Sequence, residues 1–119
     1  MSPFHRYMDT SNEKIAIMRD PQCHTTEEII RNAKKFIKSI GGQVILTLVP
    51  HTNYCAAQAR ELAQALKVEL ILTERTDYTS YDGGGHLDHK GSIQFTTDFL
   101  SLLVHSKTFR RVIDKKQQS

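Results

Sequence analysis

Apolar and polar positions along this chain fall into blocks whose period changes from block to block. Ile29, Ile30, Ala33, Phe36, Ile37 and Ile40 recur at helical spacing, while Lys34, Lys35 and Lys38 lie largely on other faces. Thr25 with Glu28 three residues on forms a capping-box pattern, so the block predicts an α-helix ending at Ile40. Gly41-Gly42 then predicts a left-handed cap and a turn. Val44 to Val49 is a continuous aliphatic and β-branched run, the signature of a strand covered on both faces, and Pro50 ends it. Thr52 or Asn53 is placed to cap a second helix reaching about Lys67, whose body is rich in alanine (Ala56, Ala57, Ala59, Ala63, Ala65). Val68 to Leu72 reads as another strand, Thr73 to Lys90 as a long loop, and a last helix is predicted from about Ser92. Earlier in the chain, Ile15 to Met18 is a short apolar run compatible with a strand, broken by Asp20-Pro21.

Strands alternating with helices of this length predict βαβ units and hence an α/β fold with a small parallel sheet of two to three strands and flanking helices. Residues 44–49 and 68–72 should be adjacent parallel strands joined by the helix near 53–67. Residues 1–14 read as an irregular arm, 15–106 as the α/β domain and 107–119 as a basic C-terminal tail. A sheet this small leaves an edge bare, and a bare edge invites pairing with another chain. A fragment, a reduced domain and a subunit of a homo-oligomer all fit that expectation.

Composition narrows the classes. At 119 residues, 39% hydrophobic and 24% charged, the chain has the make-up of one globular domain. It holds no apolar run near the roughly 20 residues that span a bilayer, and its first residues form no apolar signal core. Two cysteines, Cys23 and Cys55, make no disulfide framework, so free thiols are expected, and with no signal core the expected location is cytoplasmic. The formal charge of +3 is unevenly placed. Residues 107–119 hold five basic side chains and one acid, leaving 11 basic and 12 acidic for the rest of the chain. A Lys/Gln-rich end predicts a solvated, frayed terminus. No aromatics interleave on a basic face, so a nucleic-acid partner is not expected.

The densest chemistry lies in Tyr81-Asp82-Gly83-Gly84-Gly85-His86-Leu87-Asp88-His89-Lys90-Gly91. Glycines build no core, so such a loop serves to bring polar groups close to something. Ligands of open α/β sheets bind beyond the carboxyl ends of the strands, where this chain carries Pro50-His51-Thr52-Asn53 and the Asp82/His86 loop. His86-Leu87 followed by Gly91 and a helix, with an aspartate upstream, resembles the last block of the SGNH/GDSL hydrolase superfamily. The order of helix, Gly-Gly turn, strand ending in Pro, Ala-rich helix, strand and Asp/His loop is similar over about residues 15–105. The resemblance implies the C-terminal half of an SGNH-like or flavodoxin-like domain. It also implies an acyl-ester substrate, no cofactor and no metal, with His86 as general base and Asp82 as its partner.

His51, Asn53 and Tyr81 are the candidate substrate contacts. Imidazole suits proton transfer near neutrality, and a carboxylate fixes its tautomer. The chain also departs from the pattern. Asp82 is one residue further from His86 than the family spacing, with Asp77 as an alternative partner. No Gly-Asp-Ser nucleophile block is present; Asp9-Thr10-Ser11-Asn12 offers a serine without a preceding strand. Arg19-Asp20-Pro21-Gln22 stands where the family's oxyanion Gly-x-Asn would follow a strand. The expectation is therefore an ester-hydrolase fragment or an incomplete relative. The alternatives are a non-enzymatic α/β module pairing through its sheet edge, and a metal-dependent enzyme using His86, Asp88 and His89.

Overall fold

The computed structural model describes residues 14, 18–19, 23–51, 53–82 and 86–118. The arm over 1–12 with Ser11, most of the Ile15 to Met18 run and Gly83 to Gly85 lie outside the described residues. In chain order the elements are β1 (Met18–Arg19), α1 (Glu27–Ile40), β2 (Ile45–Thr47), β3 (Asn53–Tyr54), α2 (Ala56–Leu66), β4 (Glu69–Ile71), α3 (His89–Leu103) and α4 (Lys107–Gln118).

The chain is mixed α/β with parallel pairing. β2 and β4 run parallel, Leu46 opposite Leu70, with α2 as the crossover between them. This is the pairing expected for 44–49 and 68–72, trimmed to three residues a strand. β1 does not extend that sheet. It pairs in parallel with β3, Met18 opposite Asn53, as a second two-stranded sheet. Alanines explain how α2 packs: Ala59 and Ala63 are buried in a helix that contacts β2, β4 and α1, and Ile71 of β4 is also buried. Side chains this small let helix and sheet backbones approach closely.

Helix ends follow local chemistry. Thr26, not Thr25, caps α1, its Oγ1 accepting the Ile29 N–H at 3.2 Å. Gly41 closes α1 in the left-handed region at φ 65°, as its lack of a Cβ permits. Cys55 caps α2 through Sγ, which accepts the Gln58 N–H. Contrary to the expectation of free thiols, Cys55 is disulfide-bonded to Cys23. Beside that bond, Glu61 accepts from the Thr25 N–H at 2.9 Å and lies 2.6 Å from His24 Nδ1. The His24 hydrogen bond first, then that of Thr25, holds the Glu61 carboxyl below the usual range. The segment before α1 is thus tied to α2 covalently and by hydrogen bonds.

A second correction concerns the C-terminus. Residues 107–118 form a helix, not a frayed tail. Its start is anchored by Glu69 of β4, whose Oε1 accepts from Thr108 N–H at 3.0 Å and Ser106 Oγ–H at 2.7 Å. These two bonds, Thr108 first, lower the Glu69 carboxyl below its ordinary range. The α1 apolar stripe, by contrast, is not buried: Phe36 is 65% and Ile40 53% exposed. No described helix is long and apolar enough to cross a membrane.

Candidate functional site

The loop after β4 is pinned at both ends before it reaches the candidate residues. Tyr78 is fully buried, and its hydroxyl donates to Asp98 Oδ2 of α3 at 2.8 Å. Arg75 closes on the same carboxylate, Nε to Oδ2 at 2.7 Å, and its guanidinium lies 5.6 Å from the Tyr78 ring centre. Arg75 foremost, with Tyr78 after it, holds the Asp98 carboxyl low, and burial foremost pushes the Tyr78 phenol up to about 12. Thr79 then meets the start of α3. Its backbone N–H donates to Gln94 Oε1 at 3.1 Å, its carbonyl accepts the Asp88 N–H at 3.3 Å, and its hydroxyl donates to Asp88 Oδ1 at 2.5 Å.

Asp88 is the N-cap of α3, its Oδ1 accepting the Gly91 N–H at 2.7 Å. The helix therefore starts at His89, three residues before the expected Ser92. A Cβ on Gly91 would lie 2.1 Å from the Thr79 carbonyl oxygen, so the glycine is required by close approach. The Asp-His-Lys-Gly part of the motif is, in this structure, a capped helix start packed on a loop.

Ser80 and Leu87 form an antiparallel bridge that closes the intervening loop at its neck. Inside it, the fully buried Ser80 hydroxyl lies 2.8 Å from Asp82 Oδ1 and 2.6 Å from the His86 carbonyl oxygen. With one proton, it donates to one of these at a time. Asp82 Oδ1 also accepts the His86 backbone N–H at 3.2 Å. The other carboxylate oxygen, Oδ2, is 2.9 Å from His86 Nδ1. Tyr81 lies over the imidazole, ring centres 5.8 Å apart and planes 19° from parallel.

Asp82, His86 and Tyr81 are therefore brought together, and the extra residue between Asp82 and His86 does not keep them apart. The pair sits at the surface: the side chains of His86 and Asp82 are 69% and 31% exposed. His51 and Asn53 lie on another segment, between β2 and α2, where His51 is exposed and Asn53 pairs through β3. Asp77 contacts Arg75 and Lys14 instead, at 3.9 and 4.0 Å. Among the described residues no three His, Cys, Asp or Glu side chains are grouped to hold a metal ion. Asp88, the carboxylate of the metal alternative, is committed to the α3 cap.

Ser80 is the residue that sequence reasoning missed. Nothing in its type or spacing announces a buried hydroxyl that ties Asp82 to the His86 backbone. Chemically, an imidazole held at Nδ1 by a carboxylate presents Nε2 as a proton acceptor. No known protein family, curated protein or solved structure matches this chain.

Proposed function

We propose that this chain carries the acid–base part of an SGNH-type ester hydrolase, with His86 as general base and Asp82 orienting it. The observation that carries the reading is the 2.9 Å contact from Asp82 Oδ2 to His86 Nδ1. It leaves Nε2 on an exposed ring to take a proton from a hydroxyl or a water attacking an ester carbonyl. Ser80 is not the nucleophile in this scheme, since its hydroxyl is buried and turned to Asp82 and the His86 carbonyl. The chain acts here as an incomplete hydrolase: its base lacks a serine partner among the described residues. Tyr81 serves as a wall that holds the imidazole plane.

Hydrolysis of p-nitrophenyl acetate by the isolated chain tests this. Water replaces the serine, so turnover is slow, and it shows a normal solvent deuterium isotope effect because the proton moves in the transition state. His86→Asn removes the enhancement. Asp82→Asn lowers it about tenfold, matching one charge-assisted hydrogen bond of roughly 1.5 kcal/mol. A rate unchanged in His86→Asn overturns the reading.

A second reading, an α/β module that binds a partner, draws on the exposed α1 stripe with Phe36 at 65% and on sheets that hold two strands each among the described residues. It predicts no rate enhancement at all in the same assay.

A further inference from the structure

The basic residues near the C-terminus are exposed, but they ride on a helix and not on a loose tail. α4 is fastened to β4 through Glu69, and the fastening turns one side of the helix toward the Gly41–Val44 turn. Two cavities of about 520 and 610 Å³ open between them. They share Gly42, Gln43 and Arg111, so they lie side by side along that turn as one grooved strip. Lys67, Lys107, Arg111, Lys115 and Lys116 line it, with His105 at one end. The single carboxylate among the described lining residues, Glu69, is engaged by Thr108 and Ser106. Five permanent cations in a concave strip create a strong positive field along a line.

We infer that this groove binds the phosphodiester backbone of a nucleic acid, independently of sequence. Two features favour that occupant, the groove and the fixed helix, and a third confines its contacts to the backbone. The charges follow a groove, which suits a linear polyanion; a flat bilayer surface does not enter a concavity. Among the described residues no aromatic side chain lines it, so its contacts go to phosphates and not to stacked bases. The helix start is fixed by hydrogen bonds, so Lys107 and Arg111 are presented without first having to order a loose tail. The sequence alone gave no such expectation, because it read these residues as a solvated end. The inference stands apart from the His86 reading.

The test is fluorescence anisotropy of the full chain with a labelled 20-base-pair DNA duplex, the matching single strand, and anionic phosphatidylserine vesicles as a third arm. The duplex should bind with a dissociation constant of about 1–100 µM at 150 mM salt. The slope of log affinity against log salt should lie between about −2.7 and −4.5, for three to five neutralised phosphates at about 0.9 each. Arg111→Glu with Lys115→Glu should weaken binding at least tenfold and reduce the slope by about 1.8. Lys34→Glu with Lys38→Glu, an equal charge change on exposed α1, should leave affinity within about twofold. Circular dichroism of both variants establishes that they are folded. Preference between duplex and single strand identifies which backbone is the source, and either supports the inference. It is overturned if neither binds at 100 µM protein in 50 mM salt, if the α1 variant loses as much affinity as the α4 variant, or if only the vesicles bind.

Discussion

Gly91→Ala should destabilise the fold even though alanine is the better helix former. The added Cβ would stand 2.1 Å from the Thr79 carbonyl oxygen, 3.1 Å from its carbon and 3.2 Å from Asp88 Oδ1. The first contact is about 1 Å inside van der Waals distance, and the obstacle is backbone. Relief requires the start of α3 to move away from Thr79. That motion strains the Asp88 N–H to Thr79 carbonyl bond and the Thr79 hydroxyl to Asp88 bond. Each is worth about 1 kcal/mol, and overpacking of this kind costs about 1–3 kcal/mol. Against this stands about 1 kcal/mol of gained helix propensity. The net expectation is a loss of about 2 kcal/mol, or a fall in Tm of about 8 °C for a chain of this length. Urea unfolding followed by circular dichroism measures it, with a lower midpoint and an unchanged slope expected. A variant as stable as the parent, or more so, would refute the reasoning: it would mean that α3 begins in open space.

Reduction of the Cys23–Cys55 bond, whose ends are 32 residues apart, should lower stability by about 3.5–4 kcal/mol through loop-closure entropy. Thiol titration of the denatured, unreduced chain should find no free cysteine; two free thiols would contradict it. Glu69, Glu61 and Asp98 all have carboxyls lowered by folding. Their contribution is complete above the ordinary values of 4.5 and 3.8, and it is lost as pH falls through the lowered folded values. Urea midpoints should therefore be flat above about pH 5 and decline below it; a midpoint that rises on acidification would contradict the assignment. Glu69→Gln should keep one acceptor for Thr108 yet cost about 1 kcal/mol, reading out as faster hydrogen exchange at the start of α4.

The βαβ core was legible because its signals are local and strong. The aliphatic run at 44–49, the Gly41-Gly42 turn and the alanines of 56–65 each admit few conformations. The Asp82–His86 contact was legible from the motif, whose loop is short enough that the pair can meet. What stayed hidden depends on residues far apart in sequence. Cys23 meets Cys55 only once α1 has folded back beside α2. Glu69 turns the 107–118 segment into a fastened helix through two bonds spanning 37 and 39 residues. Asp88 looked like a metal ligand or a loop residue, because its hydrogen bond to Thr79 cannot be read from spacing.

The central claim is that Asp82 holds the Nδ1 proton of His86 so that Nε2 can accept one. Nitrogen-15 NMR of the neutral His86 ring reads this directly. The account predicts the Nδ1–H tautomer in the native chain and, in Asp82→Asn, a shift toward the Nε2–H form that a free imidazole favours in water. A native His86 already in the Nε2–H form, unchanged by Asp82→Asn, would contradict it.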